Sequence, residues 1–409
     1  IQIDNTELSN ITARTLTLET AGEDITVAGL TTGDLLGLDT ANGLKLDTGS
    51  GAGDISFVSE DSTLGVSLTT SSGTGSFIAS AGIATGTGIG LASGEKLSIT
   101  ANDFTIGAKL NSGSASTGLS VFSADRNLDL AGGDQGDGAD ISGAELALIT
   151  ATDLTVKTTG SSGAIKTGGG ITDTNTENIS GTFKIDSGGG FTSSKDAIST
   201  ASNLSIAAGG SIDLNGKVTT SGQVSIDASG KTTIAEAGDI TAGGAVTFGA
   251  NKSGTLTTAG EITTTDDNVT FTNAVTLQGD VDIDTGSGGG DISFSKSVDG
   301  ANVLTLKTGT GNAIFTGEVK ELTGLTVDTG GKLTTASSVS VAGDVSLKVN
   351  TIELGSKLDA FTNDVSITGQ SGRSMSVGSD TSNNIQIDNT ELSNITARTL
   401  TLETAGEDI

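Results

Sequence analysis

The amino-acid sequence predicts an all-β fold: an elongated parallel β-solenoid (β-helix) of about 20–23 residues per coil, with Gly-rich corners and no substantial helix. Three observations predict it. Apolar residues alternate in short segments that recur along the chain, the composition can fill only a thin core, and the chain repeats its own beginning. Ile385 to Ile409 reads IQIDNTELSNITARTLTLETAGEDI, residue for residue the same as Ile1 to Ile25, which sets a period of 384 residues. The identity extends to polar outward positions that no fold dictates, so it points to tandem duplication rather than convergent packing. Residues 1–384 therefore read as one solenoid repeat unit and 385–409 as the start of the next identical one. The alternative is a short direct repeat inside an otherwise unique chain.

The alternation is a strand signal with one buried face. In the first half it is carried by Leu16-Thr17-Leu18, Leu44-Lys45-Leu46, Leu97-Ser98-Ile99 and Leu154-Thr155-Val156. In the second half the apolar pairs begin at Val281, Leu304, Leu325, Val345, Val365 and Ile385, at steps of 23, 21, 20, 20 and 20 residues. Such steps leave no room for a crossover helix, so the chain must turn corners and stack each return on the last. Corners are visible as Asp47-Thr48-Gly49, Asp284-Thr285-Gly286, Lys307-Thr308-Gly309 and Asp328-Thr329-Gly330, where Gly supplies positive φ. Second strands follow at Gly53-Asp54-Ile55-Ser56-Phe57 and Gly290-Asp291-Ile292-Ser293-Phe294.

Composition agrees. The 409 residues include no Pro, Cys, His, Trp or Tyr, one Met, 11 Phe and 62 Gly, so Val, Ile and Leu must fill a narrow lumen. Proline's absence suits strands that all donate to a ladder. Disorder is the competing reading of so many Gly, Ser and Thr at a net charge of −29, and the regular apolar spacing opposes it.

Stacking makes the outward residues columns. The position between the apolar pair gives Thr155, Lys184, Ser205, Ser225, Thr247, Asp282, Thr305, Thr326, Ser346, Ser366 and Gln386, mostly a Ser/Thr ladder. The next outward position gives Asp284, Lys307, Asp328, Lys348, Thr368 and Asp388, whose charges alternate as a parallel stack prefers. Spacing departs from the norm between Leu68 and Leu97, around Asp134 to Asp140, and between Phe271 and Val281, where irregular coils are expected.

The chemistry carried by these residues is sparse. General acid–base, nucleophilic and tetrahedral zinc sites lean on His and Cys, which are absent, so no catalytic residue is assigned. A carboxylate pair on a polysaccharide-degrading β-helix is the remaining enzyme reading. The acidic run Gly132-Gly133-Asp134-Gln135-Gly136-Asp137-Gly138-Ala139-Asp140 makes Asp134, Asp137 and Asp140 the calcium candidates, set against a solvated loop with no cofactor. The negative charge opposes nucleic acid, and no apolar run is long enough to span a membrane. A long Cys-free chain suits export through a channel, and hence an extracellular location.

The repeated apolar pairs, their Asp/Lys-Thr-Gly corners, the Ser/Thr/Asn/Gly/Asp bias and the duplicated unit resemble the β-solenoid shafts of giant bacterial surface proteins, the filamentous-haemagglutinin-like adhesins and autotransporter passengers. The resemblance implies a cell-surface structural role: a stiff rod, an adhesin stalk, or a building block of a fibre, sheath or matrix. Its partners would be neighbouring copies, end to end and laterally, and a host or neighbouring cell surface reached through domains outside this sequence. A glycan- or surface-binding role for the Ser/Thr face is the alternative.

Overall fold

The computed structural model describes residues 5–39, 43–60, 62–64, 66–85, 96–132, 138–378 and 385–406. Strands account for 49% of it and helices for 6%, and the strand pairings between coils are parallel, so the fold is a parallel β-solenoid as the sequence predicts. The chain divides into two compact units, Ile1–Ile212 and Asp213–Ile409. Each is built by the same rule.

In most of the second unit a coil has three short strands and three corners, whereas Gly324–Thr335 and Val345–Leu354 each run through the first corner as one long strand. Val218–Thr220, Val224–Ala228 and Lys231–Ile234 form one coil; Ile240–Ala242, Val246–Phe248 and Thr255–Thr258 form the next. Each strand pairs in parallel with its counterpart one coil on, Val218 with Ile240, Val224 with Val246 and Thr232 with Leu256. Along the first face the register runs Val218, Ile240, Ile262, Ile283, Leu306, Val327, Leu347 and Ile367, an even spacing that keeps one coil shape from turn to turn. The strands are this short because alternate residues must face a lumen only a few side chains wide. Buried positions alternate with partly exposed ones in nearly every strand.

Like packs on like in that lumen. Phe248, Phe271, Phe294 and Phe315 occupy one register position in four successive coils and are at most 1% exposed. Their rings stack nearly parallel, with centroids 5.1, 4.6 and 5.1 Å apart. These spacings follow the coil rise of about 4.8 Å, so the backbone ladder dictates the aromatic stack.

The first unit uses longer and less even coils. Its principal face runs Leu16, Leu44, Leu68, Leu97, Thr117, Leu154, Phe183 and Leu204, with the widest interval between Thr117 and Leu154 and the narrowest between Leu97 and Thr117. The expected period of about 20–23 residues per coil thus describes the second unit and only part of the first. Some of the extra length goes into single helical turns at corners. Gly143–Leu146 is capped by Ser142, whose own N–H donates to the Glu145 carboxylate; Thr32–Leu35 and Asp173–Thr176 carry similar boxes from Thr31 with Asp34 and Thr172 with Asn175. The widest interval also holds an inner loop, in which Ala139–Ile141 returns to pair with Leu128–Leu130.

Two expectations are corrected. Ile385-Gln386-Ile387 does not extend the principal column. It pairs instead with Met375–Gly378, and the strand stacked on Asp364–Gly369 is Thr399–Glu403, so Leu400 and Leu402 sit on Val365 and Ile367. The physical reason is a capped helix, Asn389–Asn394, which takes up the corner and delays the return. Between Phe271 and Val281 the coil is regular, because Val275–Leu277 supplies the third-face strand.

The inward and outward assignment has a direct check. Leu306 is fully buried between Ile283 and Val327, whereas Thr305 faces out from the same strand. Leu306→Asp is expected to cost several kcal/mol in denaturant unfolding, on the order of 3–5, and Thr305→Asp no more than about 0.5.

Candidate functional site

The outer surface is organised by two hydrogen-bond devices that recur from coil to coil. The first is the corner. Thr48, Thr285, Thr308 and Thr329 are fully buried, and their hydroxyls donate to the carbonyls of Gly53, Gly290, Gly311 and Gly311 at 3.1, 2.7, 2.8 and 2.7 Å. At Asp47 and Asp284 the carboxylate accepts the N–H of the glycine two residues on, Gly49 or Gly286, at 2.8 Å. Those glycines sit at φ 72° and 82°, where a Cβ would be strained. In the Asp47 and Asp284 corners the Asp thus fixes the turn, the Thr satisfies an inner carbonyl and the Gly bends the chain; Asp328-Thr329-Gly330 departs from the expected corner, since it lies within the strand Gly324–Thr335, Gly330 is not at positive φ and its N–H donates to Gly309 O.

The second device stands just before a strand. Asn268 Oδ1 accepts the Asp291 N–H at 2.8 Å, Asp291 Oδ1 accepts the Asn312 N–H at 2.7 Å, and Asn312 Oδ1 accepts the Lys332 N–H at 2.9 Å. Asp24, Asp54 and Ser76 repeat this chain in the first unit. Asp239, Asp280 and Asp344 each accept from the next coil as well. Each acid secures the amide one coil on at the point where the ladder begins. The sequence pattern places Asp54 and Asp291 at the start of second strands without assigning them this role; their signal is an Asp immediately before an apolar pair, as in Gly290-Asp291-Ile292.

Of the calcium candidates, Asp134 and Asp137 lie outside the described residues. Asp140 lies on Ala139–Ile141, its N–H donating to Asp103 Oδ1 at 3.3 Å. Register places Asp140 beside Asp129 on one side and Lys166 beside Asp129 on the other. Asp129 is 4% exposed, with Oδ2 3.4 Å from Lys166 Nζ and Oδ1 buried and without a hydrogen-bond partner among the described residues. Gly132 and Gly168 close over that carboxylate. Asn127, Thr192, Asp140 and Lys166 line a pocket with it. Among the described residues no group of three or more His, Cys, Asp or Glu side chains could hold a metal ion. Asp129 has no distinguishing signal in the sequence, because Leu128-Asp129-Leu130 reads as an ordinary outward position.

The outward columns hold with local corrections. Asp284, Lys307, Asp328 and Lys348 are register neighbours, but Lys307 Nζ binds Asp282 Oδ2 at 2.6 Å, while Lys348 pairs with Asp328 at 3.1 Å. Beyond Thr368 the column continues to Glu403, and beyond Ser366 to Thr401, in place of Asp388 and Gln386. Thr247 is followed by Thr270 and Ser293, so Asp282 belongs to a different face.

The duplicated segment is described in both units. Each copy forms a helical turn, Asn5–Leu8 or Asn389–Asn394, and then a strand, Leu16–Glu19 or Thr399–Glu403. The first pairs with the coil that follows it, Leu44–Asp47, and the second with the coil that precedes it, Asp364–Gly369. Arg398 clamps the second copy in place, with Nε and Nη2 at 3.0 and 2.7 Å from the two oxygens of Asp364. That guanidinium holds the Asp364 carboxyl below its ordinary range. Compared with family models, curated proteins and solved structures, the chain shows no match.

Two outcomes test this surface chemistry. Asp291→Ala removes the acceptor for two donors of Asn312 and is expected to cost about 1–3 kcal/mol in denaturant unfolding, with Asp291→Asn, which keeps an oxygen there, costing less than half as much. The Lys45 ammonium, 2.8 Å away, holds Asp47 below the ordinary carboxylate range, helped by the Gly49 N–H. A folded-state pKa below the unfolded one gives stability that is complete above the ordinary carboxylate range and is lost as pH falls through the lowered value. Asp47→Asn is therefore expected to flatten the acid limb of a stability-versus-pH curve, by at most about 1 kcal/mol for so exposed a pair.

Proposed function

We propose that this chain is a structural repeat of an extracellular, cell-surface filament or adhesin stalk, in which copies joined end to end extend a β-solenoid at constant width. The observation that carries the reading is the duplicated segment. One sequence takes the same helix-and-strand course in both units, and it pairs onward in one and backward in the other, which is what a joint between successive repeats requires. The aliphatic and aromatic lumen, the corner hydrogen bonds and the opposite charges on adjacent coils all support stiffness and length. The net charge of −29 keeps such surfaces apart in solution.

A surface-binding role has one observation in its favour. Ser225, Thr247, Thr270 and Ser293 form an unbroken outward hydroxyl column over four coils. Glycan binding lost on Thr247→Lys with Thr270→Lys, at unchanged stability, would identify that column as the function.

The stalk reading is tested by a tandem chain in which the segment 1–384 occurs twice in succession and is closed by a single copy of 385–409. Negative-stain images are expected to show twice the length of the single chain at the same width, as strands stacked about 4.8 Å apart demand. A second separate particle joined by a flexible neck would overturn it.

A further inference from the structure

The corners that follow the second strand of each coil differ in length. The turn after Val246–Phe248 runs from 249 to 254, whereas those after Val269–Phe271 and Ile292–Phe294 occupy only 272–274 and 295–297. A long corner stacked on short ones leaves a recess beside it. Here the recess measures about 500 Å³ and is bounded by the corners of four successive coils, from Ser229 to Lys296. That volume falls within the range of small-ligand sites, roughly 300–1,000 Å³.

Its lining reverses the charge of the chain. The sequence has 49 Asp and Glu against 20 Lys and Arg, yet among the described residues the recess is lined by Lys252 and Lys296 and by no carboxylate. Lys296 is exposed and has no ion-pair partner among the described residues. Asn273 is 4% exposed, and its amide makes no hydrogen bond within the described residues. It lies against Gly249, at φ 73°, where a Cβ would collide with that amide. A buried amide without a partner keeps hydrogen-bonding capacity for a ligand to take up. The Asn251 and Lys252 N–H groups donate to the two carboxylate oxygens of buried Asp227 at 3.2 and 2.9 Å, which fixes the long corner with Lys252 and Ser253 beside the recess.

We infer that this recess binds an acidic oligosaccharide, one whose rings carry carboxylate or sulfate groups. Lys252 and Lys296 stand two coils apart, about 10 Å along the stack, so a ligand that engages both is extended and carries more than one charge. Ser229, Asn251, Ser253 and Asn273 supply hydroxyls and amides for the ring hydroxyls between those charges. A lone inorganic anion reaches one lysine at a time. Single-stranded nucleic acid finds no aromatic or Arg side chain in this lining on which to stack a base. The acidic surface elsewhere repels the same ligand, but at physiological salt that repulsion fades beyond about 8 Å. The inference goes beyond the stalk reading and does not rest on it, because a rod of any role can carry such a site. It also differs from the hydroxyl column of Ser225, Thr247, Thr270 and Ser293, which holds no cation.

Calorimetric titration of the full chain tests it. A tetrasaccharide of uronic acids or a sulfated tetrasaccharide is expected to bind, and a neutral tetrasaccharide to give no binding up to about 10 mM. Lys252→Gln with Lys296→Gln should weaken binding at least about ten-fold, and Asn273→Asp, which sets a carboxylate in the recess, at least as much. Lys296→Gln alone, at an exposed position that folding does not need, should weaken it at least about three-fold. Lys109→Gln with Lys195→Gln, an equal change of charge at exposed lysines of the first unit, should change it less than about two-fold. Binding of neither acidic sugar, an equal loss in the control pair, inorganic sulfate bound as tightly as the sulfated sugar, or an oligodeoxynucleotide bound more tightly than both sugars would each overturn the inference. Binding lost in Thr247→Ala with Thr270→Ala but kept in the lysine pair would overturn it as well, and would assign the sugar to the hydroxyl column.

Discussion

Parallel, in-register stacking is the constraint from which the rest of this structure follows. Once coils pair residue to residue, the neighbour of every side chain is its own counterpart about 4.8 Å away. Inward positions must then tolerate themselves, which four phenylalanines achieve by lying ring on ring. Outward positions gain where neighbouring charges are opposite, as Asp284, Lys307, Asp328 and Lys348 alternate, although Glu19 beside Asp47 and Asp129 beside Asp140 repeat a charge. A hydroxyl is the residue type that meets its own copy without penalty, which accounts for Ser225, Thr247, Thr270 and Ser293.

Such short strands cannot hold a stack alone, and the corners complete it. Each turn leaves peptide groups that no ladder covers, so a side chain must satisfy them. The inward Thr of the corner supplies a donor and the Asp or Asn before the strand supplies an acceptor. Because the acceptor reaches to the next coil, the corners are cross-linked along the stack like the strands. Much of the acidic character of the chain is therefore structural as well as solubilising.

How much is legible in the sequence follows from this division. Strand periodicity identifies the inward residues of both units, because Leu97 and Ile99, Leu154 and Val156, or Leu304 and Leu306 can alternate only against one buried face. The Asp-Thr-Gly corners at Asp47 and Asp284 are legible because those three residues have separate local roles. The third-face strand Val275–Leu277 is not, since so short a run after a corner carries too little pattern. The displacement of Ile385-Gln386-Ile387 is hidden by a spacing that matches the preceding steps; only the capping pair Asp388 and Glu391 signals the helix that follows. Asp129 is illegible because its burial comes from Gly132 and Gly168, which the sequence does not place over it.

The evenness of the coils in the second unit has a mechanical consequence. Under tension a stack of this kind yields by peeling, since each coil is bonded only to the coils before and after it. Detaching one coil releases its whole contour, roughly 70 Å for about 21 residues at full extension. The regular register of the second unit would make successive releases almost equal, whereas the irregular intervals of the first would make them visibly unequal. A filament made of such repeats would let out length in small instalments under load, as a shock absorber does, instead of failing at a single force.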